Sequence, residues 1–598
     1  MSACRNRLRL LSFTFLFASL PFTSPGHSAV AQTSPPATEP PAPSIRVTTH
    51  MVLVDVVITD KQGKAVPGLH PEDFVVEENG KAQKIAGVTT AAENAPHAPA
   101  ELPPGIYSNR PQYRASGPIT VMLLDALNTA YTDQAYARRQ MLRFVKEQYK
   151  PGDRMGVFTL TGSLNELQDF SSDPQILYAA LQSFKPLEGE FTPNPPRAID
   201  TGNGVGNTAG PSAGTTANSL GASSLPVSDS TLGVGISGRS STGPAMSVSQ
   251  AQAELAAFQT VSAQYDKDQR AVLTLNALNS LARILGGLPG RKNLIWVTGD
   301  LPFAFVPEEQ TVSQAELDEN LPSLNTRRVG EHASGNYAST FRELHAEEIR
   351  ETGARLSSAQ VAVYPVDARG LSLSLATDSQ ETMREVARET GGRAYVNQNE
   401  IKVGVERAFQ DELAAYTVAY YPDNKKYDSK YRQIKVKVKR DGVDVQNRHG
   451  YYAIDPTLTK GYNPQAEVVS ALGDAVPSTL VAFSAQVKPP SANSVKDKIG
   501  VTFLVDANTL SAEDASGGKH LNVAMYATLY SPAGKILTNR SQKVDQSFDA
   551  PTYQKILQQG LMLHMDLDPQ PGNNQLRLAV QDGRTGLVGT IDAPAPTP

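Results

Sequence analysis

Cysteine is nearly absent from this chain of 598 residues: the one present, Cys4, precedes the first apolar run. Removing that run as a leader leaves no thiol. This excludes disulfides, thiol catalysis and cysteine-bound zinc, and it leaves buried area to stabilise the fold. The same position excludes lipid attachment at a cysteine just after the leader. Tryptophan is equally scarce, with Trp296 alone in an apolar run where packing is its expected role. No later run approaches the roughly 18 apolar residues of a membrane-spanning helix, so no transmembrane anchor is expected once the leader is cleaved. A basic surplus is also missing. Lys and Arg number 55 against 60 Asp and Glu, a formal net charge of −5 that becomes −8 without Arg5, Arg7 and Arg9. That balance argues against nucleic acid as the main partner.

What is present begins with targeting. Arg5, Arg7 and Arg9, the apolar Leu10 to Phe22 and the small Ala29-Val30-Ala31 have the layout of a secretory signal peptide over residues 1–31. The expected destination is outside the cytoplasm: periplasmic, associated with the cell envelope, or secreted. A Pro-rich linker follows at 32–44, then a β module at 45–90 whose Asn79-Gly80 is a strong hairpin signal. Residues 91–117 read as a second linker. An α/β domain is expected at 118–415, interrupted at 187–248 by a Gly/Ser/Thr-rich insert with too little apolar surface to offset its ordering entropy. A β extension at 416–455 and a β-sandwich-like domain at 463–598 complete the chain. In IKVKVKR, Lys435, Lys437 and Lys439 share one strand face, with Ile434, Val436 and Val438 opposite, predicting a solvated face over a packed one.

The most informative stretch is ITVMLLDALNT, residues 119–129. An apolar run without alternation predicts a strand covered on both faces, as in a parallel sheet flanked by helices. Runs at Met155–Leu160, Asn293–Val297 and Val361–Val366 repeat the pattern. Helical spacing appears at Gln134–Tyr149, Pro174–Phe184, Leu273–Leu285, Ser339–Leu356 and Ser379–Thr390, the last closed by Gly391-Gly392. The alternation predicts an α/β fold with a mainly parallel sheet. In such sheets ligands bind at the carboxyl ends of strands, which places Asp125 where a carboxylate holds a hard cation. Its other role is to cap the strand-to-helix corner. Asp367 ends another strand at the same rim, as a pocket or turn residue.

Several segments together carry a resemblance: VDVVITDKQGKAVPGL, PEDFVVEENGK, LLDALNT, LPGRKNLIWVTGDLP, VAVYPVDARGL, VARETGGRAY, and YTVAYYP with YRQIKVKVKR and VQNRHGYYA. In this order and spacing they resemble the von Willebrand factor A-related proteins of acidobacterial type, over most of the exported chain and least over its final β region. The resemblance implies a von Willebrand A fold, Rossmann-like and doubly wound, with β-sandwich-like modules on either side. It also implies Mg²⁺ at a metal-ion-dependent adhesion site, whose first loop reads Asp-x-Ser-x-Ser. Carried over, Asp125 takes the aspartate place, Leu127 the first serine and Thr129 the second. Leu127 offers no oxygen, and Asn128 points elsewhere if the spacing is kept. The third loop, usually Thr-Asp-Gly, reads Thr298-Gly299-Asp300 here. The implied site is therefore degenerate: Asp125, Thr129 and Asp300, with the second-loop threonine unassigned inside the insert.

No catalytic set assembles from the sequence. His345 in ELHAEE lacks a second histidine at position 349, and neither a Gly-x-Ser-x-Gly elbow nor a phosphate loop is present. His332 and His449 stand isolated, and Glu77 and Glu78 read as solvated hairpin charges. The expectation is a non-enzymatic exported protein that recognises a protein partner through the α/β domain. The alternative is a metal-independent structural component of the envelope.

Overall fold

Every side chain of the strand Ile119–Asp125 is buried, as a mainly apolar run without alternation requires in a sheet covered on both faces. It pairs in parallel with Arg154–Leu160 on one side and Lys292–Thr298 on the other. Val361–Asp367 pairs in parallel beyond Lys292–Thr298, and Leu164–Ser171 closes the opposite edge antiparallel. The computed structural model describes residues 51–90, 101–110, 119–149, 154–187, 248–303, 332–370, 377–397, 401–455, 463–490, 498–515 and 517–596. Within these, 248–261, 263–264, 332–344, 377–378 and 401 are described as backbone alone. The expected leader and the linker at 32–44 lie outside the described residues, as does the insert at 187–248 apart from its two border residues.

Alternate residues of the central strand enter opposite cores. Ile119, Val121 and Leu123 pack with Leu275, Leu278 and Leu281 of the helix Val248–Leu285, and with Ile349 and Leu356 of the helix His332–Ser358. Met122 and Leu124 face Met141 and Phe144 of the helix Tyr131–Glu147, Leu177 of Pro174–Ser183 and Val405 of Ile401–Leu413. Truncating a side chain so enclosed costs about 2–5 kcal/mol. The class is thus mixed α/β, with helices on both faces of a mainly parallel sheet. The helix Thr377–Thr390 ends where expected, with Gly391 at φ +77°. One element was legible only in its C-terminal part and two not at all. The helix Val248–Leu285 starts far ahead of Leu273, carried by Ala, Gln, Glu and Leu, which are strong helix formers. Leu164–Ser171 has no apolar alternation and becomes a strand through the edge it meets. Ile401–Leu413 buries only a narrow stripe.

The N-terminal β segment is completed from far along the chain. Val52–Asp60 lies between Ala415–Tyr420 and Val443–Asn447, while Phe74–Glu78 pairs with Tyr431–Val438. The two four-stranded sheets share one cluster that includes Val54, Val56, Ile58, Phe74, Val76, Tyr416, Val418, Ile434 and Val436. Lys435 and Lys437 are exposed and their apolar neighbours are not, so the two faces of IKVKVKR divide as expected. Asn79-Gly80 forms the hairpin turn with φ of +48° and +76°. Glu78, expected in solvent, is buried instead. It continues the inward series of Phe74 and Val76, and its Oε2 accepts the hydroxyls of Tyr420 at 2.7 Å and Tyr451 at 3.0 Å.

The C-terminal β region likewise borrows a strand. Ile106–Ser108, within the expected linker, pairs with Phe483–Lys488 at the edge of a four-stranded sheet. Asn109 locks it there. Its Nδ2 donates to the carbonyls of Ser478 at 3.1 Å and Val481 at 2.9 Å, and its Oδ1 accepts the Phe483 N–H at 2.8 Å. Two helices, Pro464–Gly473 and Ala550–Gln559, accompany the strands of this region. Arg283 ties it to the central domain, with Nε 2.7 Å from Asp474 Oδ2 and Nη2 2.9 Å from Oδ1. Gly287 permits the close approach, since a Cβ there would meet the Thr479 carbonyl oxygen at 1.8 Å. Among the described residues no helix is long and apolar enough to cross a membrane.

Candidate functional site at the carboxyl edge of the central sheet

Strand parity decides where Asp125 points. It continues the series Ile119, Val121 and Leu123, whose side chains face the helix Val248–Leu285, so its carboxylate enters that interior rather than the open rim. Only 2% of the residue is exposed. Oδ1 accepts the Asn128 backbone N–H at 2.9 Å, which is the turn-capping bond of a strand-to-helix corner. Oδ2 lies 3.0 Å from Asn128 Nδ2, 3.0 Å from Trp296 Nε1 and 2.9 Å from Thr298 Oγ1. Burial pushes the Asp125 carboxyl up, and the bonds from Asn128, Trp296 and Thr298 pull it back down without cancelling the rise.

The neighbouring residues lock the same corner. The Asn128 amide turns to Asp125, and its Nδ2 also reaches Thr274 Oγ1 at 3.0 Å on the helix Val248–Leu285. Gln134 Nε2 donates to the Thr129 carbonyl at 2.8 Å. The Thr129 hydroxyl oxygen accepts the Gly299 N–H at 2.8 Å, joining the first loop to the third. A Cβ on Gly299 would come within 3.2 Å of the Asn128 carbonyl oxygen, so the Thr298-Gly299-Asp300 order keeps glycine where the loops are closest. The Thr298 hydroxyl is also 2.7 Å from the Asp300 carbonyl oxygen, and its single hydrogen serves one acceptor at a time.

A second group of charges occupies the rim itself. The Arg369 guanidinium grips Asp367 with Nε 2.8 Å from Oδ1 and Nη2 2.9 Å from Oδ2. Gln380 Nε2 reaches Asp367 Oδ2 at 3.2 Å, and Gln380 and Asn397 exchange amide bonds at 2.7 and 3.0 Å. The bond to Asp367 raises the Arg369 guanidinium further above its ordinary range, burial opposes it, and the charges of Asp300 and Asp133 add to the rise. Burial pushes the Asp133 carboxyl up, with Arg369 opposing and Asp367 reinforcing the shift. The chain thus supplies its own cation among the rim carboxylates.

Two residues of the degenerate site are engaged within the corner itself. Asp125 turns inward to Asn128, Trp296 and Thr298, and the Thr129 hydroxyl turns toward the Gly299 N–H. Mg²⁺ requires near-octahedral oxygen ligands. Asp125 Oδ2 already faces three donors and Leu127 provides no oxygen, so this arrangement does not fit the ion. Trp296, Thr274, Arg369 and Gln380 were not identified from sequence as partners. Parity offered one signal, because Trp296 and Asp125 both belong to inward series on adjacent strands. No family model matches the chain, and no curated protein matches it.

Proposed function

We propose that this chain is an exported, non-enzymatic protein that assembles with another protein of the cell envelope, and that its von Willebrand A-like central domain works without a bound cation. One observation supports this most directly: the strand-end carboxylate, where a metal ligand would stand, is consumed by Asn128, Trp296 and Thr298 as an internal strut. The strands shared between distant segments support the assembly half of the proposal, since they join segments before and after the central domain to one another in two β regions of fixed geometry.

A thermal melt with and without Mg²⁺ tests the cation-free reading. A ligand at about 100 times its dissociation constant stabilises the native state by about 2.7 kcal/mol. The expected result is an unchanged melting temperature in millimolar Mg²⁺ and in chelator. A rise with Mg²⁺ that disappears in Asp125→Ala would return the cation-dependent recognition mode. Cross-linking in intact cells tests the assembly half, with a discrete envelope complex expected to survive chelation.

A further inference from the structure

The strand Ile536–Asp549 runs for 14 residues, each exposed or half-buried, and among the described residues it pairs only with Gly518–Tyr530. About half of its backbone N–H and C=O groups therefore point along an open edge. Proteins ordinarily keep such edges short or cover them. On one face of this strand lie Ser541, Lys543, Asp545 and Ser547, and on the other Gln542, Val544 and Gln546. Lys543 Nζ is 2.8 Å from Asp545 Oδ2, and His520 Nε2 is 2.7 Å from Asp545 Oδ1 on the paired strand.

We propose that this edge is the docking site for a second copy of the chain, which adds its own Ile536–Asp549 antiparallel with Val544 on the two-fold axis. The charge pattern selects that register. Symmetric pairing keeps the two faces of the joined sheet continuous only when opposed residues share parity, so each register centres on a single residue. Centring on Val544 sets Lys543 of each copy opposite Asp545 of the other and Ser541 opposite Ser547. The four charges then alternate in a closed square. Centring on Lys543 or on Asp545 would set that residue opposite its own image, and like charges directly opposed are destabilising. The edge is thus complementary to itself when centred on Val544 and repelled in both neighbouring registers; centring on Gln546 would oppose Lys543 to Asp549, whose carboxylate already caps the next helix.

Sedimentation velocity of the full chain, expressed through its own leader, tests this across roughly 1 to 100 µM. A concentration-dependent dimer is expected. Lys543→Asp and Asp545→Lys should each remain monomeric at concentrations where the wild type dimerises, with far-UV circular dichroism unchanged. Mixing the two variants should restore a dimer, because each then opposes the other's charges at both positions. A wild type that stays monomeric throughout this range overturns the proposal. So does a dimer indifferent to both substitutions, or variants that do not recover on mixing.

Discussion

The indole N–H of Trp296 donates to Oδ2 of Asp125 at 3.0 Å, joining the chain's single tryptophan to the carboxylate that ends the central strand. The two residues lie on adjacent parallel strands and face the same interior, beneath the helix Val248–Leu285. The bond makes tryptophan emission a reporter for this corner. Asp125→Ala should leave Trp296 Nε1 and the Asn128 backbone N–H without their acceptor and remove one of the two acceptors near the Asn128 amide and the Thr298 hydroxyl. Each buried unsatisfied group costs about 1–3 kcal/mol, so the total is expected at about 3 kcal/mol or more by denaturant titration, with a shift in tryptophan emission. Trp296→Phe, which removes one donor and part of the packing, should also destabilise the protein. An exposed, strut-free Asp125 would leave stability and emission nearly unchanged in Asp125→Ala.

A second expectation concerns the junction between the central domain and the C-terminal β region. Arg283 and Asp474 are both buried and paired at 2.7 Å. Arg283→Ala should cost about 3–5 kcal/mol, since it strands a buried carboxylate. The double substitution Arg283→Met with Asp474→Leu should recover most of that loss. The measurement is a double-mutant cycle by chemical denaturation, and additive single effects would show that the pair does not couple the two regions.

Asn109 carries a third. It holds the borrowed strand Ile106–Ser108 through three bonds to Ser478, Val481 and Phe483. Asn109→Ala should destabilise the C-terminal β region by about 2–4 kcal/mol, at about 1–3 kcal/mol for each buried group left unsatisfied with partial relaxation. Limited proteolysis should then cut near residues 101–110 before it cuts the central domain. Equal protection in wild type and variant would count against the borrowed strand.

The fourth is a pH dependence at the contact between the helix Thr377–Thr390 and the N-terminal β sheets. Burial pushes the Glu389 carboxyl up to about 7, while the bond from the Tyr431 hydroxyl lowers it and the nearby Glu385 raises it. Because the folded value lies above the unfolded one, this group's stabilising contribution is full below about pH 4.5. It is lost as pH rises through about 7. The shift corresponds to roughly 3 kcal/mol at most. His449, with Nδ1 3.8 Å from Glu389 Oε1, is pushed down by burial and by Arg388, so its own contribution is lost as pH falls. Glu389→Gln isolates the carboxyl. The variant should lose the downward slope between pH 5 and 8 and exceed wild-type stability at the upper end, read as melting temperature against pH. Parallel curves for the two proteins would refute the assignment.

Much of the central domain was legible because its signals are local. An apolar run such as Val121 to Leu124 states that both faces are covered, whatever covers them. Asn79-Gly80 and Gly391 each require positive φ, a demand written in residue type alone. The alternation of Ile434 and Val436 with Lys435 and Lys437 also divides inside from outside without knowledge of a partner. The direction of the Asp125 side chain was not legible in the same way. Its strand-end position indicated the rim, yet parity with Ile119, Val121 and Leu123 carried it under the helix. Glu78 was misread for the same reason, because a carboxylate beside a turn is ordinarily solvated unless hydroxyls such as those of Tyr420 and Tyr451 meet it inside.

The amino-acid sequence by itself determined the strands of unbroken or alternating apolar pattern, the glycine turns and the α/β character of the central domain. These follow from backbone preferences and from the aversion of apolar side chains to water, both of which act over a few residues. Tertiary structure alone decided that Val52–Asp60 pairs with Ala415–Tyr420 and that Ile106–Ser108 joins Phe483–Lys488. It also decided that Asp125 is a strut held by Trp296 and Thr298. Hydrogen-bond partners hundreds of residues apart depend on which surfaces meet in space, and no local pattern carries that information.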